Sequence, residues 1–336
     1  MIKRLLAIIA ASVLLSAGLR GQVKYGGYLS FEYDKGQAES LDPRGSIQNI
    51  KAGFLATGIV ASKFNFALEA RYWGNESPSQ SGDPLFQIEQ AWVGFSSSKA
   101  FSIKAGLFLV PFGRWNTASR AHETLLVGPP LNLAFLYPPS WRDLGVLTEG
   151  QFSFVSYALY FGNGLKEADS LAGGQQFRDN NKDKGKGGRF GLKLSEGFQA
   201  GFSYYTGKID DLDQRNLRLE GIDLAWVTDQ WEIWGEATRG TIHNPEPFAD
   251  GRSEGFSIWT VMTRGKIQPV GSYQQVKYTD PFHGDGGIAI DQRRWTAGLR
   301  FVLGPSLYIK AEYEWNHESP VDTKNNLLRI QAALGF

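Results

Sequence analysis

Lys63-Phe64-Asn65-Phe66-Ala67-Leu68-Glu69-Ala70-Arg71-Tyr72 decides the fold. Its even positions read Phe, Phe, Leu, Ala, Tyr, and its odd positions read Lys, Asn, Ala, Glu, Arg. Successive strand side chains point to opposite faces, so this segment is a strand with one greasy face and one charged face. Phe101 to Leu109, Leu307 to Trp315 and Leu328 to Phe336 repeat the pattern. From Gln22 onward no amphipathic helix of useful length competes with this period of two.

Sixteen such runs can be counted between residues 22 and 336. The connections between them alternate between short and long. Short ones include Ala61-Ser62, Ser97-Ser98-Lys99, Glu196, Asp229-Gln230 and Leu303-Gly304-Pro305; long ones cover 34–46, 75–84, 111–143, 163–187, 209–216, 241–252, 279–290 and 317–324. A soluble sandwich would scatter its loop lengths. A transmembrane barrel keeps its turns short on one side and its loops long on the other, with lipid-facing and lumen-facing residues alternating. The reading is all-β: a 16-stranded antiparallel transmembrane β-barrel with short periplasmic turns and long extracellular loops. Aromatics near strand ends (Tyr72-Trp73, Trp226, Trp231, Trp295 and Trp315) fit the water–lipid boundary. In hydrocarbon every backbone group must be paired, and a closed sheet does that without an edge. Strands 2, 4, 10 and 12 are the hardest to phase.

Composition agrees by exclusion. The 336 residues are 42% apolar and 13% aromatic, with slightly negative mean hydropathy, which removes polytopic helical membrane proteins. No cysteine means no disulfide framework, no Cys-zinc site and no thiol nucleophile. The one long apolar run is N-terminal. Met1-Ile2-Lys3-Arg4, then Leu5 to Leu15, then Ser16-Ala17-Gly18 follow the pattern of a signal peptide. Cleavage after Gly18 suits the small-residue rule, whereas cleavage after Gly21 suits the strand pattern. The domains expected are therefore a signal peptide over 1–21 and a barrel over 22–336. Removing 1–21 leaves 32 bases against 34 acids, which gives no case for nucleic acid as a partner.

Sixteen strands enclose a lumen too wide for side chains to fill, so an aqueous channel is the default. Something must narrow it. The connection over 111–143 carries Leu125-Leu126-Val127, then Leu131 to Tyr137, then Pro138-Pro139-Ser140-Trp141. Apolar content in so long a loop needs a surface to pack on. This segment is expected to fold inward as a constriction loop.

Ala105 to Asn116, with its Gly106-x-x-x-x-Pro111-Phe112-Gly113 block, resembles the fifth-strand signature of the phosphate-selective porin O and P family. The leader, length, strand count and terminal Phe336 extend the resemblance over the mature chain. It implies trimeric outer-membrane channels of Gram-negative bacteria, with anions passing a pore lined by arginine and lysine. No residue of that lining is carried over, and membership does not fix the solute.

Taking the apolar residues as lipid-facing, the inward bases are Lys24, Lys51, Arg71, Lys104, Arg189, Lys193, Lys277, Arg294, Arg300, Lys310 and Arg329. The inward acids are Glu32, Glu69, Glu232, Glu236, Glu312 and Glu314. The basic excess favours anions, unless the charges simply pair across strands. In and beside the loop Arg114, Arg120 and Arg142 face Glu123 and Asp143. The pore-lining candidates are thus Arg114, Arg120, Arg142, Arg71, Lys104, Arg294, Arg300, Lys310, Glu69 and Glu312.

Catalytic chemistry finds little support. His122, His243, His283 and His317 all fall in long loops, and no Gly-x-Ser-x-Gly elbow or His-x-x-x-His pair occurs. Asp179 to Gly185 starts like a calcium loop but has Phe190 where the twelfth-position glutamate belongs. No enzyme activity, cofactor or metal is expected. The partners expected are outer-membrane lipid, small hydrophilic solutes or anions, and sister copies in a homotrimer. The reading is a passive diffusion channel with mild anion preference. The alternatives are an oxyanion-selective channel, phosphate included, and a non-conducting structural or adhesive barrel.

Overall fold

The computed structural model describes residues 22–74, 85–168, 170–279 and 289–336. The expected signal segment and its cleavage site, the 75–84 connection and His283 lie outside the described residues. Sixteen strands follow in order: β1 (Val23–Gly36), β2 (Ser46–Ala61), β3 (Phe64–Gly74), β4 (Leu85–Ser98), β5 (Phe101–Leu109), β6 (Arg142–Phe152), β7 (Val155–Gly162) and β8 (Gly185–Ser195). The second half comprises β9 (Phe198–Lys208), β10 (Asn216–Val227), β11 (Trp231–His243), β12 (Gly251–Met262), β13 (Ile267–Thr279), β14 (Ala289–Gly304), β15 (Leu307–Ser319) and β16 (Leu327–Gly335). Each strand pairs antiparallel with its sequence neighbours, and β1 pairs with β16 to close the barrel. Gly27 and Phe336 exchange backbone hydrogen bonds of 2.9 and 3.0 Å at that seam. Both ends of the described chain stand on the short-turn side.

Alternation places the side chains as the period of two requires. On β10, Leu217, Leu219, Asp223 and Ala225 are buried while Arg218, Ile222, Leu224 and Trp226 are exposed. Of the ten tryptophans, four face outward, namely Trp226, Trp231, Trp295 and Trp315. Trp73 does not join them. It lies on the inward parity with Glu69 and Arg71, its ring under the Lys51 ammonium and the Arg71 guanidinium. Lys277 is the reverse correction, exposed on the outward parity of β13 between buried Val276 and Tyr278.

Bulges explain why two strands resist phasing. The β1–β2 register shifts between Ser30 and Glu32, and Asn49 there takes a φ of 55°. The β3–β4 register shifts between Glu69 and Ala70. An extra residue in one strand switches its parity part-way along. Lys51 still faces inward, paired with Glu32.

Residues 110–141, between β5 and β6, run inside the barrel. Asn116 ties the two ends of this segment together. Its amide donates to the carbonyls of Val110 and Trp141, both at 2.8 Å, and its Oδ1 accepts the Trp141 N–H at 2.7 Å. Val110, Phe112, Leu133, Leu136, Tyr137 and Trp141 are fully buried, packed with wall residues such as Tyr205, Leu219 and Trp259. Each such side chain contributes about 1.5–3 kcal/mol, so part of the lumen is filled by a core of ordinary protein character. Gly106, opposite Gly145 at the root of the segment, has a φ of +130°, and a Cβ there would meet the Ala91 carbonyl oxygen at 2.3 Å.

Candidate functional site

The inner wall holds the loop by its backbone. Glu236 of β11 accepts the N–H groups of Arg114 at 2.5 Å and Trp115 at 2.6 Å. Glu312 of β15 accepts those of Val127 at 3.0 Å and Gly128 at 2.9 Å. The Lys310 ammonium donates to the Ala121 carbonyl at 2.6 Å and to the Thr124 hydroxyl at 2.9 Å. Gln274 accepts the Leu131 N–H and Ser203 the Gly113 N–H. Buried N–H and C=O groups that a loop cannot pair internally are thereby satisfied. Lys310 and Glu312 are therefore fully buried anchors of the loop, and neither side chain is open to a passing solute.

Most remaining wall charges pair with one another. Arg71 meets Glu89 at 2.9 Å and donates to the Ser140 hydroxyl at 3.1 Å. Glu69 holds Arg120 through two hydrogen bonds of 2.9 and 2.7 Å. Burial opposes the charge on Arg120, but Glu69 and Glu123 outweigh it and raise its pKa above the ordinary guanidinium value. Glu314 takes Arg294 and Arg329, each at 3.4 Å. Lys104 meets Glu149 at 2.5 Å and covers the Trp92 ring, and Arg189 meets Asp223 at 2.5 Å.

Arg114 and Arg300 stand apart. Arg114 stacks on Trp234 at 4.8 Å and donates to Gln199 at 3.1 Å. Arg300 donates to Gln268 at 2.8 Å and lies over Tyr308. Neither forms an ion pair with a carboxylate among the described residues. Both lie on the short-turn side of the loop, where Arg114 borders a polar vestibule with Lys99, Lys104 and Glu149. On the opposite side of the loop Lys51, Arg71, Arg120 and Arg329 converge on a cavity of about 170 Å³, with Glu32 as its one acid.

Arg142 is not part of this lining. It sits at the start of β6, on the parity of exposed Leu144 and Val146. Its guanidinium bonds the Ile88 carbonyl at 2.8 Å and Glu89 at 3.3 Å, under the Phe177 ring. Nor does Asp143 face Arg114 or Arg120. Its carboxylate accepts the N–H groups of Leu144, Asn163 and Gly164. Sequence reasoning also missed Glu89, which the β4 bulge turns toward Arg71, and Asn116, whose loop-closing bonds leave no periodic trace. Lys51, Trp73 and Arg329 stood in the sequence, but only barrel closure brings β16 beside β1 and so gathers them.

The sequence model of the Gram-negative porin family matches residues 5–320. An uncharacterized protein of Aquifex aeolicus (strain VF5) is 25% identical over 239 residues, 67% of this chain and 54% of that protein, so the chain spans about half the length of that relative. Among solved structures, the anion-selective porin from Comamonas acidovorans superposes with a TM-score of 0.68 at 12% identity, covering 94% of this chain and 100% of that one. Salmonella typhi OmpF, solved with daunomycin, gives 0.67 at 12% identity over 94% and 97%. The trimer form of in-vitro folded OmpT from Vibrio cholerae gives 0.66 at 12% identity over 94% and 99%. These likenesses carry the fold, and the match over nearly the whole chain carries the family: this chain belongs to the Gram-negative porins.

Proposed function

We propose that the protein is a passive diffusion channel of the outer membrane with mild anion preference, narrowed by the loop over 111–143. One observation carries the preference. Most wall carboxylates are taken up by loop N–H groups or by neighbouring bases, whereas Arg114 and Arg300 form no ion pair among the described residues and have Glu232 as a shared, more distant acid. A fixed cation facing a confined aqueous path lowers the cost of an anion there and raises that of a cation. Reversal potential across a KCl gradient, with refolded mature protein in a planar bilayer, tests the reading. Current carried mainly by chloride supports it; current carried mainly by potassium refutes it. A folded barrel without conductance would leave the structural or adhesive alternative.

An oxyanion-selective channel, as the phosphate-selective porin resemblance implies, is favoured by the four bases around the 170 Å³ cavity. Phosphate added to the same bilayer would then block chloride current saturably, and Arg329→Gln would raise the blocking concentration. Unsaturable or absent block removes this reading and leaves the general channel in place.

A homotrimer is part of the same proposal. The outward faces of β1–β5 and β16 carry Leu29, Ala52, Val93, Ala105 and Ile330 and no tryptophan, whereas all four outward tryptophans lie on β10, β11, β14 and β15. A flat apolar wall without its tryptophan anchors suits contact with a sister copy better than contact with lipid. Cross-linking after reconstitution at low density checks it.

A further inference from the structure

We propose that Arg142, although it stands outside the lumen, sets the charge that solutes meet inside it, acting through Glu89 on Arg71. Arg142 is thus a positioning residue for selectivity, and this rests on the reading of the protein as a channel. The barrel wall is interrupted where the three residues meet. β5 pairs with β6 as far as Leu109 and Arg142, but with β4 only as far as Leu107 and Ala91. Above Ala91 the β4 backbone pairs with β3 alone among the described residues. The β4 bulge lies in this gap. Ile88 pairs with Ala70 and Gln90 with Glu69, so Glu89 is the extra residue and belongs to neither face. Gln90 follows the inward parity of Glu69, whereas Phe86, Ile88, Leu107 and Arg142 border an outward concavity of about 440 Å³.

A carboxylate so placed is reached from both sides. One oxygen of Glu89 takes Arg71 at 2.9 Å from the lumen and Arg142 at 3.3 Å from the outer face. All three residues are at most 8% exposed. Neither base meets another carboxylate within ion-pair distance among the described residues, so two positive charges share one negative. In surroundings of low polarity this sharing matters: what the carboxylate gives to Arg142 it withholds from Arg71. Arg71 is the member that solutes meet, because it borders the 170 Å³ cavity beside Trp73 and Ser140. Without Arg142, Glu89 would belong wholly to Arg71 and cancel its charge. Without Glu89, the Arg71 charge would stand bare.

Arg142 is held in place from outside. The Gln175 side chain accepts its N–H at 3.0 Å and donates to its carbonyl at 2.5 Å, and the Phe177 ring lies over the guanidinium. A further bond from that guanidinium to the Ile88 carbonyl, at 2.8 Å, spans the gap that β5 leaves. The connection between β7 and β8 thereby fixes one end of a charge relay whose other end is in the pore. A purely structural Arg142 would need the Ile88 and Gln175 bonds only. Its place on the same Glu89 oxygen as Arg71 is what ties it to the lumen.

The test uses the lack of cysteine in the chain. Ser119→Cys, on the wall of the same cavity, supplies a single thiol in the full mature protein. Its rates of reaction with an anionic and a cationic methanethiosulfonate, followed by intact mass, read the local potential without any current. Arg142→Gln should lower the anionic-to-cationic rate ratio several-fold, and Glu89→Gln should raise it. In the Glu89→Gln background, Arg142→Gln should change the ratio little. Arg142→Lys, which keeps the charge, should restore most of it. Should Glu89→Gln fail to give a heat-modifiable barrel, the double substitution takes its place, and there the ratio should rise where Arg142→Gln alone makes it fall. Shifts in the same direction from the two single substitutions would mean a structural role and overturn the proposal. So would an undiminished effect of Arg142→Gln without Glu89, or a thiol that neither reagent reaches. In a planar bilayer the chloride-to-potassium permeability ratio should move in parallel. Failure of the unsubstituted protein to conduct refutes the channel reading by itself, whereas the thiol rates decide the relay separately.

Discussion

Lys310 and Glu312 occupy neighbouring inward positions of β15 and grip the same stretch of loop with opposite chemistry. The ammonium donates to the Ala121 and Leu126 carbonyls, and the carboxylate accepts the Val127 and Gly128 N–H groups. Residues 121–128 are therefore held by complementary partners on both kinds of backbone group. Replacing Lys310 with Met, of similar reach, leaves carbonyls without a donor, at about 1–3 kcal/mol. The expected outcome is a barrel that still shows heat-modifiable migration but conducts more, with larger current noise. Unchanged single-channel conductance would show that the clamp does not hold the loop.

Arg114 and Arg300 offer a sharper test of selectivity than any paired wall charge. Arg114→Gln with Arg300→Gln should bring the chloride-to-potassium permeability ratio close to unity. Lys104→Gln should change it less, since Glu149 already offsets that ammonium. Equal effects from the paired and unpaired positions would argue against the two guanidiniums as its source.

His122 makes the loop sensitive to acid. Its ring packs on Tyr28 of β1 and over Gly335 of β16. Around it stand Glu123 at 4.0 Å and the charges of Arg120, Lys310 and Glu69. Burial holds the imidazole pKa below its ordinary value, against the pull of Glu123. A histidine freed from this site takes up its proton at about 6.5, and the docked one only at lower pH. Docking is therefore fully favoured above that value and weakens as pH falls through it. Current noise should rise on acidification from pH 7.5 to 5, and His122→Asn should flatten the profile. An identical rise in the substituted protein would place the sensor elsewhere.

Gly106 is the fourth position to test. A left-handed φ and a carbonyl oxygen in the way of any Cβ make Gly106→Val costly whatever the loop does. The yield of folded barrel should fall several-fold on refolding. Gly265, with a φ of +81° but open space around it, should lose less on the same substitution.

The barrel was legible because its signal is local. Phe64 to Tyr72 declares its two faces without reference to any other strand. The long connection over 111–143 stood out by length, and Leu131 to Tyr137 by its apolar content. Pairing of charges was not legible, because it depends on closure. Glu69 and Arg120 lie 51 residues apart, and only the loop's path through the lumen brings them together. Lys277 and Trp73 failed for a simpler reason. Each is amphipathic, so its chemistry does not announce its face, and one residue of phase error exchanges lipid for water. Arg142 failed because it begins a strand, where a long side chain can turn along the rim.

The loop is made before most of what it rests on. It leaves β5, yet its partners Glu236, Gln274, Lys310 and Glu312 are supplied by strands far downstream, with separations up to 189 residues. Contacts so distant in sequence form late, after nearer pairings have been established. The seam between β1 and β16 joins Gly27 to Phe336, farther apart again, so by the same argument the loop is seated while the wall is still open and the cylinder closes around it. Assembly halted before the seam forms would leave an open sheet already carrying its obstruction, so the finished pore never passes through a wider closed state.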